Sequence, residues 1–240
     1  MNIHSCDHQH PKSESMAQII KEELFFHLPY AVFAVAFSLI ILSLFDFLSV
    51  GKTVKDLFIV RWRMFHNLHF MHIAFACIGA LTSFFRHSKS LWQGMLVGII
   101  SPSVFCILSD IIFPWLGARF LGVNMPLHIC FINELDNILP FLIIGFVTGL
   151  VLYKQNSYKK NHKHLESQVD DFSLWSHSVH IFISSLASSF YFVANGFYDW
   201  ADSIGAVFVV LIIAVLIPCT LSDVVVPAYF ARFGNKKIVR

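Results

Sequence analysis

Charged residues are scarce in this chain. They make up 13% of its 240 residues, whereas soluble domains carry about 25%, and hydrophobic residues make up 56%. Apolar stretches of near 20 residues are long enough to cross a bilayer as helices. The candidate membrane spans are 28–45, 66–85, 95–109, 138–153, 177–197 and 204–222. The sequence therefore predicts an all-α integral membrane protein with six transmembrane helices and no sizeable soluble domain.

We also expect no cleavable signal peptide, because the polar residues 1–22 contain no short apolar core followed by a cleavage site. With six helices, 12 of the 17 Lys and Arg residues fall on the side that holds both termini. This bias predicts a multi-pass protein of the cytoplasmic or inner membrane with both termini in the cytoplasm. Its expected partners are the lipid bilayer and a metal ion or small solute, and no nucleic acid.

Two further absences restrict the chemistry. The five cysteines show no paired framework, and three lie within predicted helices, so we expect reduced thiols and no disulfide scaffold. The chain has neither a His-Glu-x-x-His nor a Gly-x-Ser-x-Gly motif. These absences argue against the common metalloprotease and serine hydrolase sites, and we expect the protein not to be an enzyme.

Three strings are followed later in the chain by similar strings, in the same order. The second copies follow the first by 111, 111 and 113 residues: ELFFHLP (23–29) and ELDNILP (134–140), HNLH (66–69) and HSVH (177–180), CILSDIIFPWLGARF (106–120) and CTLSDVVVPAYFARF (219–233). Hydrophobic bias repeats Leu and Phe, but it does not repeat His, Asp, Pro and Arg in register. The chain is therefore interpreted as a tandem repeat.

The repeat defines four regions. These are a polar His- and Cys-containing tail (1–22), repeat 1 (23–133), repeat 2 (134–235) and a basic C-terminal tail (236–240). Each repeat has three helices, and an odd number makes the second repeat enter the membrane from the opposite face. The expected architecture is two inverted-topology three-helix repeats (3+3), a plan common among secondary transporters.

The repeated polar residues form the candidate metal site. Histidines at i and i+3 share a helix face, and imidazole and carboxylate groups bind zinc, iron or manganese-like cations. An acid inside an apolar helix costs about 2.5–3.5 kcal/mol on insertion scales and by default indicates function. The predicted ligands are His66, His69, Asp110, His177, His180 and Asp223. Interfacial histidines and helix-capping aspartates are the structural alternatives.

A proline follows each aspartate by four residues. Pro114 and Pro227 have no N–H, so the helix is expected to bend or break beside the carboxylate. The possible auxiliary ligands are His72, Ser109, Ser222, Cys106 and Cys219. Two sites, one near each face of the membrane, fit the predicted depths better than one site at the midplane, which stays open as an alternative.

These features favour a small secondary transporter or channel-like carrier for a divalent transition metal. Coupling to protons is possible in this scheme, because histidine exchanges a proton for a metal near neutral pH. Three alternatives remain: a membrane-embedded metalloenzyme, a b-type haem protein, and a proton-coupled carrier of an organic solute. Elemental analysis and uptake into liposomes distinguish them.

Overall fold

A computed structural model describes residues 16–159 and 167–236, and every regular element within these residues is helical. The elements in chain order are α1 (Met16–Leu48), α2 (Val54–His87), α3 (Leu91–Ile107), a π-helical turn (Leu108–Ile112), α4 (Phe113–Phe120), α5 (Cys130–Asn133), α6 (Leu135–Lys159), α7 (Ser167–Ala194), a 3₁₀ turn (Trp200–Ser203), α8 (Ile204–Thr220), a second π-helical turn (Leu221–Val225) and α9 (Val226–Lys236). Residues 1–15, which form most of the predicted polar tail, lie outside the described residues. Residues 237–240 of the predicted basic tail also lie outside them.

Five stretches of helix in the described part of the chain are long and apolar enough to cross a membrane. They are Ala17–Leu48, Val54–His87, Leu91–Phe120, Leu135–Gln155 and Trp200–Arg232. The segment 177–197, predicted as the sixth span, is helical to Ala194 but is not among them. Its apolar character is interrupted by buried serines at 184, 185, 188 and 189. The chain thus has the helices of a multi-pass membrane protein.

Large apolar side chains cover much of the surface of the bundle, and several polar side chains are buried within its apolar core. Large apolar residues of α1 and α6, such as Phe33, Phe37 and Ile144, are more than half exposed. The helices α2 and α7 instead bury histidine and serine side chains. This distribution suits a hydrocarbon environment, in which polar groups have to find partners within the protein.

The two central helices run antiparallel. The ring of Phe65 on α2 contacts that of Tyr191 on α7, and the ring of His72 on α2 contacts that of His180 on α7. His72 comes after Phe65 in the chain whereas His180 comes before Tyr191, so the two helices run in opposite directions. Around them, α1 runs parallel to α7, as the ring pairs Phe37–Phe182 and Phe45–Phe190 show. The α2–α7 crossing therefore forms the axis of the bundle.

Helix α6 runs parallel to α2 and comes close to it. The rings of Phe70 and Phe141 are in contact, and four residues further along both helices Gly145 faces Ala74. A Cβ atom on Gly145 would lie 2.5 Å from the carbonyl oxygen of Ala74, so the absence of a side chain permits this approach. The pair α2–α6 thus repeats the parallel arrangement of α7 and α1.

The two copies of the Leu-Ser-Asp-x-x-x-Pro string have the same local structure. In each, an α-helix passes through one π-helical turn and continues as a shorter α-helix. The amide of Phe113 donates to the carbonyl of Leu108, and that of Val226 donates to Leu221. Pro114 and Pro227 follow these turns, so the predicted irregularity is a π turn within a continuous helix and not a break.

Candidate metal centre

Asp110 is the most completely hydrogen-bonded group in the interior. Its Oδ2 accepts from Nδ1 of His69 at 2.8 Å and of His72 at 2.7 Å. Its Oδ1 accepts from the hydroxyls of Ser109 at 2.8 Å and Ser184 at 2.9 Å. All five residues have at most 1% of their surface exposed. Because both oxygens are occupied by donors, Asp110 orients the two imidazoles and has no free lone pair directed at a metal.

Asp223 occupies the corresponding place in the second copy, with fewer partners. Its Oδ2 accepts from Nδ1 of His180 at 2.5 Å and of His177 at 3.3 Å. Its Oδ1 and the hydroxyl of Ser222 have no hydrogen-bond partner among the described residues. The carboxylate packs directly on Gly79, where a Cβ atom would collide with it. Asp223 therefore keeps one buried oxygen available to a ligand.

The imidazoles of His72 and His180 meet at the centre of the bundle, with their Nε2 atoms 2.6 Å apart. Each ring donates its Nδ1–H to a carboxylate, His72 to Asp110 and His180 to Asp223. In the neutral rings both Nε2 atoms then carry lone pairs and only accept. Two acceptors this close need a cation between them, either a shared proton or a metal ion.

Two thiols adjoin this pair. Sγ of Cys106 and Sγ of Cys219 each lie 3.7 Å from Nε2 of His72. A tetrahedral zinc ion with Zn–S near 2.3 Å and Zn–N near 2.0–2.1 Å separates sulfur and nitrogen ligands by roughly 3.6 Å. The two cysteines also occupy equivalent positions in the repeated string. The ligand atoms of His72, His180 and Cys219 lie within 4.8 Å of one another, and Cys106 adjoins His72. These four residues are called the central cluster, and its two Nε2 atoms would have to separate from 2.6 Å to roughly 3.3 Å to bind one tetrahedral zinc ion.

A second group of ligand atoms lies at one end of the bundle. Nε2 of His66 is 2.8 Å from Oε1 of Glu134 and 3.3 Å from Nε2 of His128. Nε2 of His128 is 3.5 Å from Oε1 of Glu134. The Cys130 thiol lies within 4.8 Å of one ring nitrogen of each of these two histidines. The side chain of Trp62 contacts both imidazoles, with ring centroids 4.6 Å apart in each case. His66, His128 and Glu134 are called the mouth cluster below.

The connecting segment that carries His128 is held in place by tertiary contacts. The backbone amide of His128 donates to the hydroxyl of Tyr191 at 3.2 Å, and Trp115 donates to the carbonyl of Met125 at 3.0 Å. Burial lowers the pKa of His128 below its ordinary value, while the nearby Glu134 carboxylate acts in the opposite direction. A lowered pKa favours the neutral imidazole, which is the form that binds metals.

At the other end, a histidine and a glutamate continue the row of polar groups. The ring of His27 contacts that of His177 at a centroid distance of 4.4 Å, and Nδ1 of His27 lies 3.6 Å from a carboxylate oxygen of Glu23. At a rise of 1.5 Å per residue, the row from His66 to Glu23 covers roughly 20 Å along the helix axes, a large part of a bilayer's hydrocarbon core of about 30 Å.

Five of the six predicted ligands, His69, Asp110, His180, Asp223 and His177, fall into one row of contacts that is joined through His72. His69 contacts Asp110, and His177 and His180 contact Asp223, as expected for neighbours within one repeat. His66 differs, because it contacts Glu134 and not Asp110. Helix α2 begins at Val54, so its histidines lie within the helix and not at its end.

The auxiliary residues have unequal positions. His72, Cys106 and Cys219 lie at the centre, and Ser109 donates to Asp110. The hydroxyl of Ser222 has no hydrogen-bond partner among the described residues. The sequence-based ligand set did not include His128 and Glu134. Glu134 belongs to a repeated string together with Glu23, and that repetition is the one signal that points to it.

Comparisons of the chain with protein-family models, with curated proteins and with solved structures find no match. Its function is therefore inferred from donor atoms, distances and burial.

Proposed function

We propose that this chain is a small membrane carrier that moves a divalent transition-metal ion in exchange for protons. The observation that carries this proposal is the central cluster, in which two imidazoles and two thiols converge at the crossing of α2 and α7. Both halves of the chain contribute ligands to it. A site shared between two halves can be exposed to either side of a membrane when the halves move relative to each other.

The packing of the helices supports an inverted repeat with six spans. The equivalent helices α2 and α7 run antiparallel, and each packs beside a parallel partner, α6 for α2 and α1 for α7. Such pairing is expected if the two repeats enter the membrane from opposite faces. In this proposal α7 is the sixth span, enclosed by the other helices, and both termini lie on the cytoplasmic side as the charge distribution predicts.

The nature of the cargo follows from the ligand chemistry. Tetrahedral sites with two sulfur and two nitrogen ligands are typical of zinc, and other soft first-row cations bind the same donors. Hard cations such as Mg²⁺ and Ca²⁺ prefer oxygen ligands. The carboxylates of Asp110 and Asp223 then act on the imidazoles, in the carboxylate–histidine–metal arrangement that orients the ring and increases its basicity.

Proton exchange follows from the 2.6 Å contact between the Nε2 atoms of His72 and His180. Without a metal, one proton shared between the two nitrogens removes the repulsion of their lone pairs. A metal ion that binds both nitrogens has to displace that proton. Each metal ion bound at the centre therefore releases at least one proton, which gives a direct means of coupling.

The test is metal uptake by proteoliposomes that contain the full chain. Wild type should accumulate Zn²⁺ when a pH gradient is applied, and the double variant Cys106→Ala/Cys219→Ala should lose most of this uptake. Cys77→Ala is the matched control, because Cys77 is a buried thiol outside the central cluster. Uptake that is equal in the double variant and wild type would rule out the central cluster as the transport site.

A proton-coupled carrier of an organic solute is the second candidate. It is favoured by the unbroken chain of contacts His69–Asp110–His72–His180–Asp223–His177, which could conduct protons without any metal. The two candidates differ in the metal content of the purified protein. A protein free of bound transition metal, whose liposomes conduct protons but do not accumulate Zn²⁺, would favour this alternative.

A further inference from the structure

The mouth cluster has the dimensions of a metal site of its own. Its three ligand atoms, Nε2 of His66, Nε2 of His128 and Oε1 of Glu134, are 2.8, 3.3 and 3.5 Å apart. Ligands at 2.0–2.1 Å from a tetrahedral zinc ion are separated by roughly 3.3 Å. The three atoms therefore already form one face of a tetrahedron, and a water molecule or the nearby thiol of Cys130 can supply the fourth corner.

Proton accounting also points to a cation at this position. Nδ1 of His66 lies 2.7 Å from the carbonyl oxygen of Trp62, which only accepts, so this nitrogen carries the hydrogen. Nε2 of His66 then faces two acceptors, the carboxylate of Glu134 and Nε2 of His128, so either a second proton on the ring or a metal ion has to lie between them. A backbone carbonyl that holds the second ring nitrogen is also the usual outer partner of a metal-binding histidine.

The mouth cluster is accessible, whereas the central cluster is not. The side chains of His128 and Glu134 are 17% and 22% exposed, and that of His66 is 7% exposed. His69, one helical turn further along α2, is fully buried and its Nε2 has no hydrogen-bond partner among the described groups. Nε2 of His69 is thus a buried nitrogen without a hydrogen-bond partner among the described groups, on a residue between His66 of the mouth cluster and His72 of the central cluster.

We propose that His66, His128 and Glu134 bind a divalent transition-metal ion such as Zn²⁺, and that this mouth site passes the ion to the buried central cluster. Binding at the mouth does not depend on the proposed transport function, but its role in loading does. His66 and His72 lie six residues, about 1.7 helical turns, apart on α2. His69 lies three residues from each, and its Nε2, which has no hydrogen-bond partner among the described groups, serves as an intermediate ligand.

The experiment measures Zn²⁺ bound to the purified full-length protein by equilibrium dialysis at neutral pH. Wild type should bind two ions per chain, His128→Ala one, and the combined His128→Ala/Cys106→Ala/Cys219→Ala variant none. Glu134→Gln keeps the shape of the side chain and removes its charge, so it should weaken the more accessible ion by tenfold or more. His87→Ala, which removes an exposed histidine of the same helix, should still bind two ions.

The loading role is tested separately by uptake kinetics. His128→Ala should raise the Zn²⁺ concentration at half-maximal uptake at least tenfold and leave the maximum rate within about twofold of wild type. The mouth site is overturned if His128→Ala and Glu134→Gln bind as much Zn²⁺ as wild type with unchanged affinity. If two ions bind as expected but wild type shows no uptake, the mouth site stands and the transport function fails.

Discussion

Replacement of Asp110 by asparagine tests whether the acid orients the metal ligands or binds the metal itself. The amide oxygen of asparagine can accept from His69 and His72 as the Oδ2 of Asp110 does. Its NH₂ group then faces the hydroxyls of Ser109 and Ser184, which can rotate to accept. The number of hydrogen bonds is thus conserved, and the change removes mainly the negative charge.

The expected effect is a loss of affinity without loss of the site. Removing an outer partner of a metal-binding histidine typically weakens metal binding 10–100-fold, or about 1.4–2.7 kcal/mol. Asp110→Asn should fall in this range, because the charge acts on the metal only through the ring of His72. Asp110→Ala is a poorer test, since it would remove the carboxylate that accepts from four buried donors and destabilise the fold.

The assay is titration of the purified protein with Co²⁺, whose thiolate complexes absorb through sulfur-to-metal charge transfer. Wild type should show this band when Cys106 and Cys219 coordinate the ion. Asp110→Asn should reach the same band at 10–100-fold higher Co²⁺. The matched control is Asp202→Asn, which makes the same chemical change at an exposed position and should titrate like wild type.

Two results would refute this reasoning. If folded Asp110→Asn gives no band at any Co²⁺ concentration, Asp110 is a ligand itself, as the sequence alone suggests. If Asp110→Asn titrates like wild type, the carboxylate does not act on the metal through His72. A wild-type protein without the band would remove the thiols of the central cluster from the coordination sphere.

Two smaller predictions concern packing and local stability. Gly79→Ala should weaken Zn²⁺ binding by roughly tenfold, because the added Cβ displaces the Asp223 carboxylate. Gly205→Ala is the control, since Gly205 faces open space and its replacement should not change the affinity. Equal Zn²⁺ dissociation constants for both variants in equilibrium dialysis would contradict this. Thr53→Ala should lower the free energy of unfolding by about 1 kcal/mol, because the hydroxyl of Thr53 caps α2 by accepting from the amide of Asp56 at 3.2 Å. Unfolding by denaturant in detergent measures the second effect, and an unchanged midpoint would show that the cap is not important.

The helices and their irregularities could be predicted largely from composition and repetition. Long uncharged runs indicated the helices, and the prolines at 114 and 227 indicated an irregular turn beside each aspartate. The start of α2 was less predictable. Residues 54–65 contain four charged side chains and do not resemble a membrane span, yet they continue the helix that carries His66.

The candidate site was predicted in part for a similar reason. Repetition pointed to the aspartates and the His-x-x-His pairs, because it preserves polar residues in register. It ranked His72 as auxiliary, since this residue has no counterpart in the second repeat, although His72 lies at the centre of the bundle. His128 lies in a connecting segment, where no helical periodicity indicates the direction of its side chain.

The amino-acid sequence by itself determined the class of the protein, the repeat and the residue types available for metal chemistry, because these depend on composition and on local spacing. Tertiary structure decided which groups meet. The antiparallel crossing of α2 and α7 brings His72 to His180, and the packing of α6 beside α2 brings Glu134 to His66. These contacts join residues 68 to 108 positions apart in the chain, a distance over which only the packing of helices sets which donor atoms converge.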